Sequence, residues 1–206
     1  MSLQDEPSIY LASQSPRRRE LLRQIGVSYQ VIGANVVELP RSHEAPSDYV
    51  QRLAREKAEA GFATVLSNQL AVKPVLGADT IVVINNEILE KPQDAGHAAA
   101  MLRKLAGADH QVMTAVAMIV EEKCSIKLSV TDVVFRPLGD DEIAAYWDTG
   151  EPRDKAGAYA IQGLGAVFVQ QIRGSYTGVV GLPIEQTVVL LEEFGVPYWQ
   201  STDIQT

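Results

Sequence analysis

The chain has 206 residues, 46% hydrophobic and 21% charged, which suits a globular fold and excludes disorder as its main state. With 18 basic and 26 acidic residues its formal charge is −8, so it is a poor non-specific ligand for nucleic acid or an anionic membrane. A lone cysteine, Cys124, excludes an internal disulfide and a multi-cysteine metal site, and the acidic start at Asp5 and Glu6 lacks a leader's apolar stretch, so a cytoplasmic location is expected.

Apolar runs and helical periods alternate along the chain. A short strand is predicted at 9–13 and a helix over Pro16–Gln24, stopped by Gly26. A second strand follows at 29–32. Residues 47–66 carry Val50, Leu53, Ala54, Lys57 and Ala58 at three-to-four spacing, a long helix for which Ser47 is the expected N-cap. The most apolar strand is Val75–Ile84, and Asn85-Asn86 predicts a hairpin into residues 87–90. Asp94 caps a helix that Gly107 ends. Residues 111–121 and 125–135 form a strand pair, with Glu122-Lys123 near the turn. A helix is expected at 140–147, a Gly-rich, β-like stretch at 158–172, and a closing helix at 182–194. No linker divides the chain, so a single domain over 1–206 is expected, of α/β class with a mixed sheet.

Several places break local rules. In Ser13-Gln14-Ser15-Pro16-Arg17-Arg18-Arg19, Ser15 and Pro16 suit a helix start, yet three arginines occupy the first turn. Cations there oppose the helix dipole at roughly 0.3–1 kcal/mol each. Free N–H groups, two serine hydroxyls and guanidinium groups together make an anion site suited to phosphates, or else a solvated basic turn. Asp79 interrupts an apolar strand, where a carboxylate is costly unless paired. It reads as a metal ligand, a general base or a strand-end cap, and Gly77 and Ala78 beside it leave room for a ligand. Lys91-Pro92 closes the hairpin with a compact cation, and Lys57 shares a helix face with Leu53 and Ala54; each is a phosphate contact or an outward lysine. Gln162, between Ile161 and Gly163, offers a donor and an acceptor to a planar ligand or to solvent. His43, His97 and His110 lack ligand spacing. Any metal would therefore have oxygen ligands, which favours magnesium or manganese, with Glu38 as a candidate second carboxylate.

Taken together, these segments resemble the Maf family of nucleoside triphosphate pyrophosphatases. The resemblance rests on Leu11-Ala12-Ser13-Gln14-Ser15-Pro16-Arg17-Arg18, Arg55-Glu56-Lys57-Ala58, Gly77-Ala78-Asp79-Thr80, Lys91-Pro92, Lys155-Ala156-Gly157-Ala158-Tyr159 and Val180-Gly181-Leu182-Pro183, in family order. It implies a mixed, strongly bent sheet with flanking helices and a cleft between two lobes. It implies hydrolysis of a nucleoside triphosphate to the monophosphate and pyrophosphate with a divalent cation, and a homodimer. Asp79 matches the family's proton acceptor, and Arg17, Thr80 and Gln162 match its substrate-selecting residues. That trio follows the branch acting on dTTP and UTP, whereas the 7-methyl-GTP branch carries Trp, Gln and Glu. A neutral amide and a hydroxyl suit a uracil or thymine ring; a cationic methylated guanine favours a carboxylate. Gln14 and Gly178 depart from the usual pattern, at positions without an assigned role.

The expected mechanism seats the triphosphate on Ser13, Ser15 and Arg18, flanked by Lys57 and Lys91. Asp79 or Glu38 holds the cation through oxygen or water, and Asp79 orients and deprotonates the attacking water. The alternatives are modified pyrimidine triphosphates as substrates, a purine pyrophosphatase of inosine-triphosphatase type, and a non-enzymatic regulator of septum formation.

Overall fold

The computed structural model describes residues 6–200. Residues 1–5, where part of the leader argument falls, and 201–206 lie outside the described residues. In order the elements are β1 (Ile9–Leu11), α1 (Pro16–Gln24), β2 (Tyr29–Val31), α2 (Pro46–Ser67), β3 (Val75–Ile84), β4 (Glu87–Leu89), α3 (Ala95–Leu105), β5 (Asp109–Val120), β6 (Lys123–Phe135), α4 (Asp140–Asp148), β7 (Val169–Arg173), α5 (Tyr176–Val180) and α6 (Ile184–Glu193). Among the described residues, no helix is long and apolar enough to cross a membrane.

Among the described residues the strands form one seven-stranded sheet in the order β2-β1-β3-β5-β6-β7, with β4 on part of β3. β1 runs parallel to β2 and β3, and the remaining pairs are antiparallel, so the sheet is mixed as expected. Alternation on β3 sorts the core. Leu76, Ala78, Val82 and Ile84 join one apolar cluster with α1, α3, α4 and α6. Val75, Ile81 and Val83 join a second cluster under α2. Each fully buried Leu or Val contributes roughly 1.5–3 kcal/mol.

One edge of β3 is shared, and the sharing makes the cleft. Residues 75–76 pair with β1, residues 82–84 pair with β4, and residues 77–81 between them have no strand partner on that edge among the described residues. The other edge stays paired with β5 throughout. Asp79 and Thr80 sit in this gap, on opposite faces of the strand.

Small residues let α2 lie directly on the sheet. A Cβ on Gly77 would stand 2.4 Å from the Ala54 carbonyl oxygen and 2.5 Å from the Ala58 nitrogen. The room beside Gly77 therefore holds the backbone of α2, and the expected ligand space is absent there. The contact draws the turn carrying Lys57 against β3.

Local chemistry explains where boundaries differ from expectation. Pro46 takes the first position of α2 and Ala45 the N-cap, so Ser47 lies inside the helix. Asp94 does cap α3, accepting from the His97 N–H at 2.8 Å. Asn85 and Asn86, at φ 50° and 63°, form the hairpin turn. The β5–β6 turn falls one residue earlier than predicted, with Glu121 at φ 51°. The stretch read as β-like from 158 contains only β7. Gly157 and Ala158 are both left-handed, at φ 66° and 59°, and two such residues break an extended run into 3₁₀ turns. Gly181, at φ 125°, separates α5 from α6, so the closing helix begins at Ile184.

Candidate active site

A cavity of about 530 Å³ opens at the gap in β3. It is lined by Ser13, Ser15, Arg17, Arg18, Glu38, Lys57, Asp79, Thr80, Lys91 and Gln162, the full set of candidate residues from the sequence. Five cationic side chains and four carboxylates line it, a local cationic excess in a chain of net charge −8. That excess favours a polyanionic ligand.

The floor is built by α1. Ser15 is its N-cap but makes no side-chain cap hydrogen bond, which leaves its hydroxyl available. Pro16 has no N–H to satisfy, and the first-turn amides of Arg17 and Arg18 have no intrahelical acceptor. The helix fans its three arginines apart. Arg17 and Arg18 reach the cavity, and Arg19 does not.

Arg18 is committed mostly to the protein. Its Nε donates to the Gly181 carbonyl oxygen at 2.8 Å, Nη1 to Ser13 Oγ at 3.1 Å and Nη2 to Thr80 Oγ1 at 3.1 Å. Three of its five N–H groups are thus engaged, and the expected phosphate contact falls to the other two. Desolvation pulls its pKa below that of free arginine, against the pull of Asp79, while Arg17 adds repulsion.

Asp79 is 6% exposed, and its partner comes from α2. Lys57 Nζ donates to Asp79 Oδ1 at 2.7 Å and lies 2.6 Å from Glu38 Oε1. Lys57 thus points inward and not to solvent, but its ammonium, expected at a phosphate, is engaged by two carboxylates. Burial pushes the Asp79 pKa up, and the Lys57 and Arg18 charges recover only part of the shift. Burial also opposes ionisation of Glu38, but there the hydrogen bond and charge of Lys57, with Lys91 and Arg18, outweigh it and hold the pKa low. The two carboxylates so differ in basicity, and Asp79 is the stronger base.

Glu38 lies on the loop between β2 and α2, which Arg52 pins. Arg52 donates to Glu44 at 2.6 and 2.7 Å and to the Leu39 carbonyl oxygen at 3.1 Å. The Arg52 guanidinium holds the Glu44 carboxyl at about 2.

Gln162 is placed by a carboxylate that the sequence did not single out. Glu151 accepts from the N–H groups of Leu164 and Gly165, each at 2.9 Å, and from Tyr146 Oη at 2.6 Å. A Cβ on Gly163 would fall 2.0 Å from Glu151 Oε2, so any larger residue there would displace the Glu151 carboxylate from its present place. The charged-then-small pattern of 151–163 was the available signal. Tyr49 and Glu90, hydrogen bonded at 3.0 Å, also line the cavity, as does Lys155 paired with Asp154. Tyr49 and Glu90 are 41 positions apart, which hid them as a pair.

A divalent cation fits this donor set only with help. Among the described residues, no cluster of three or more His, Cys, Asp or Glu can hold an ion alone. Asp79 and Glu38 both pair with Lys57 Nζ, which occupies the point where they converge; a magnesium ion, held by one or two carboxylates plus substrate phosphates, would use their remaining oxygens.

The comparisons with known proteins agree in extent. The family model described as "Maf-like protein" matches residues 8–194. A protein of Saccharophagus degradans named "dTTP/UTP pyrophosphatase" is 57% identical over 193 residues, 94% of this chain and 91% of that protein. A Shigella sonnei protein of the same name is 56% identical over 187 residues, 91% of this chain and 93% of its own length. A Shigella flexneri relative at 56% identity, covering 91% of this chain and 93% of its own, is named "Nucleoside triphosphate pyrophosphatase". The solved Staphylococcus aureus Ham1 structure covers 90% of this chain and 96% of that one at 14% identity and TM-score 0.45, a likeness too loose to carry an argument. With a family match across nearly the whole chain and relatives more than half identical along almost their full length, the chain belongs to the Maf family.

Proposed function

We propose that the protein hydrolyses dTTP and UTP to the nucleoside monophosphate and pyrophosphate, a house-cleaning role in the nucleotide pool. The observation that carries the reading is the single cavity that gathers a cationic helix start, a buried carboxylate of raised pKa and the Arg17–Thr80–Gln162 trio. Curated relatives named "dTTP/UTP pyrophosphatase", at 56–57% identity over most of the chain, support it.

In this mechanism Ser13, Ser15, Arg17 and the α1 N–H groups receive the triphosphate, and Lys91 closes on its flank. Asp79 orients a water and takes its proton as the oxygen bonds to the α-phosphorus. The bond from that phosphorus to the bridging oxygen breaks, and pyrophosphate leaves. Burial makes Asp79 basic, and Lys57 stabilises its charged form. Asp79 or Glu38, through oxygen or water, would hold a divalent cation, magnesium or manganese, together with phosphate oxygens. That ion would neutralise charge on the phosphates. Position and charge supply most of the rate, since little covalent chemistry is required of the protein. The family resemblance supports a homodimer as the working assembly.

The test is product analysis with UTP, dTTP, CTP, GTP, ITP and 7-methyl-GTP. Monophosphate plus pyrophosphate from UTP and dTTP is the expected result. Preference for ITP or 7-methyl-GTP would overturn the choice of base, and no turnover of any nucleotide would return weight to the regulatory reading.

A further inference from the structure

Gln162 sits in a turn that is tied down from outside the cavity. It is exposed and lines the cavity, so the course of its backbone aims its amide. The Gly163 N–H closes the turn onto the Ala160 carbonyl oxygen at 3.2 Å. Two side chains then grip the turn on either side of Gln162. Before it, the Ala160 N–H donates to Tyr146 Oη at 3.2 Å. After it, the Leu164 and Gly165 N–H groups donate to the Glu151 carboxylate, each at 2.9 Å. Tyr146 Oη donates to Glu151 Oε1 at 2.6 Å, so the two grips are one connected unit. Neither Tyr146 nor Glu151 lines the cavity.

The hydrogen-bond count closes. An ionised carboxylate only accepts, and this one takes three donors. The tyrosine directs its single proton at Glu151 and accepts from Ala160 with a lone pair. Burial opposes ionisation of Glu151, but Tyr146, the two N–H groups and Lys155 outweigh it and hold the pKa low. Tyr146 is itself steadied by the Phe168 ring, edge-on with centroids 4.8 Å apart. We propose that Glu151, with Tyr146 as its partner, is a positioning residue for base selection: it fixes the backbone of 160–165 so that the Gln162 amide is presented to the base of the nucleotide. An amide that must offer a donor and an acceptor to one base edge at once tolerates little movement of the backbone that carries it. Glutamine at position 151 keeps the size but replaces an acceptor oxygen with a donor group. One of the three donors then faces another donor, and the turn loosens.

The inference rests on the reading above that Gln162 meets the base. The test measures kcat and KM for UTP, dTTP and CTP in the wild type, Glu151→Gln, Gln162→Ala and the double variant, with thermal melts to check folding. In E151Q, KM for UTP and dTTP rises about tenfold with kcat little changed, and the UTP-over-CTP preference in kcat/KM falls about tenfold. In the Q162A background the same change lowers kcat/KM by less than about threefold more, because its route to the substrate is already gone. An unchanged KM and preference in E151Q, a fall in kcat without a rise in KM, or a further loss above about threefold in the double variant overturns the proposal and leaves the base-selection reading standing. Should E151Q fail to fold, Tyr146→Phe, which removes the hydroxyl linking the two grips, is read by the same criteria. A wild type without preference for UTP over CTP, or a Q162A variant that keeps that preference, overturns the base-selection reading and this inference with it.

Discussion

Asp79 is the residue where burial and charge are most opposed. Its carboxyl carries a strong desolvation penalty that the hydrogen bond and charge of Lys57 and the charge of Arg18 offset only in part. Replacing it with Asn keeps the volume and removes that penalty. Asp79→Asn is therefore expected to lower kcat about 1,000-fold with a melting temperature unchanged or raised, read by product analysis and calorimetry. Retained turnover would remove Asp79 from the role of base. A second residue-scale prediction concerns His110, which is 3% exposed, packed edge-on against Phe135 and Tyr159, and 2.9 Å from Tyr159 Oη. Burial pulls its pKa from 6.5 down to about 4. The unfolded chain then binds its proton first as pH falls, so folding is favoured above pH 6.5 and weakens through the interval down to about 4. Between pH 6.5 and 5 that loss is about 2 kcal/mol, and His110→Phe should flatten the slope in urea titrations.

Among elements, the decisive contact is α2 on β3. The helix places its backbone where Gly77 has no Cβ, and that closeness sets Lys57 beside Asp79. Gly77→Ala forces the helix away by a backbone clash, which no rotamer can relieve. We expect a loss of about 1–3 kcal/mol in urea midpoint experiments, together with a fall in kcat larger than the loss of folded protein explains. The other element-scale device is the unpartnered stretch of β3. A central strand does not normally expose part of one edge, and here the exposure gives Asp79 and Thr80 access to one cavity from opposite faces. Neither β1, which is short, nor β4, which pairs only with the far end, shows in its sequence that it will leave this gap.

For the whole molecule, one sheet carries an apolar cluster on each face, and β3 and β5 contribute to both. Losing either cluster strips one side of the shared strands. The chain should therefore unfold as a single cooperative unit, the behaviour expected of one domain. Far-ultraviolet circular dichroism and tryptophan fluorescence, with Trp147 packed at the first cluster, should give coincident urea transitions. Separate midpoints would show that the two faces unfold independently.

The sequence by itself determined most of the elements up to α4 and the chemical inventory of the cavity. Strand alternation, helix periodicity and cap residues are local, so β3, α1 and the Asn85-Asn86 hairpin were legible from their own residues. The arginine-rich helix start and the carboxylate in an apolar strand stood out because each breaks a local rule at an energetic cost. Tertiary structure alone decided the pairings. Lys57 meets Asp79 across 22 positions, Arg18 meets Gly181 across 163, and Thr114 meets Thr80 across 34. These partners are chosen by the close approach of α2 at Gly77, by the register of β3 on β5, and by the edge that β1 and β4 leave open. Periodicity shows which face a side chain takes, but only packing brings two distant faces within hydrogen-bond distance.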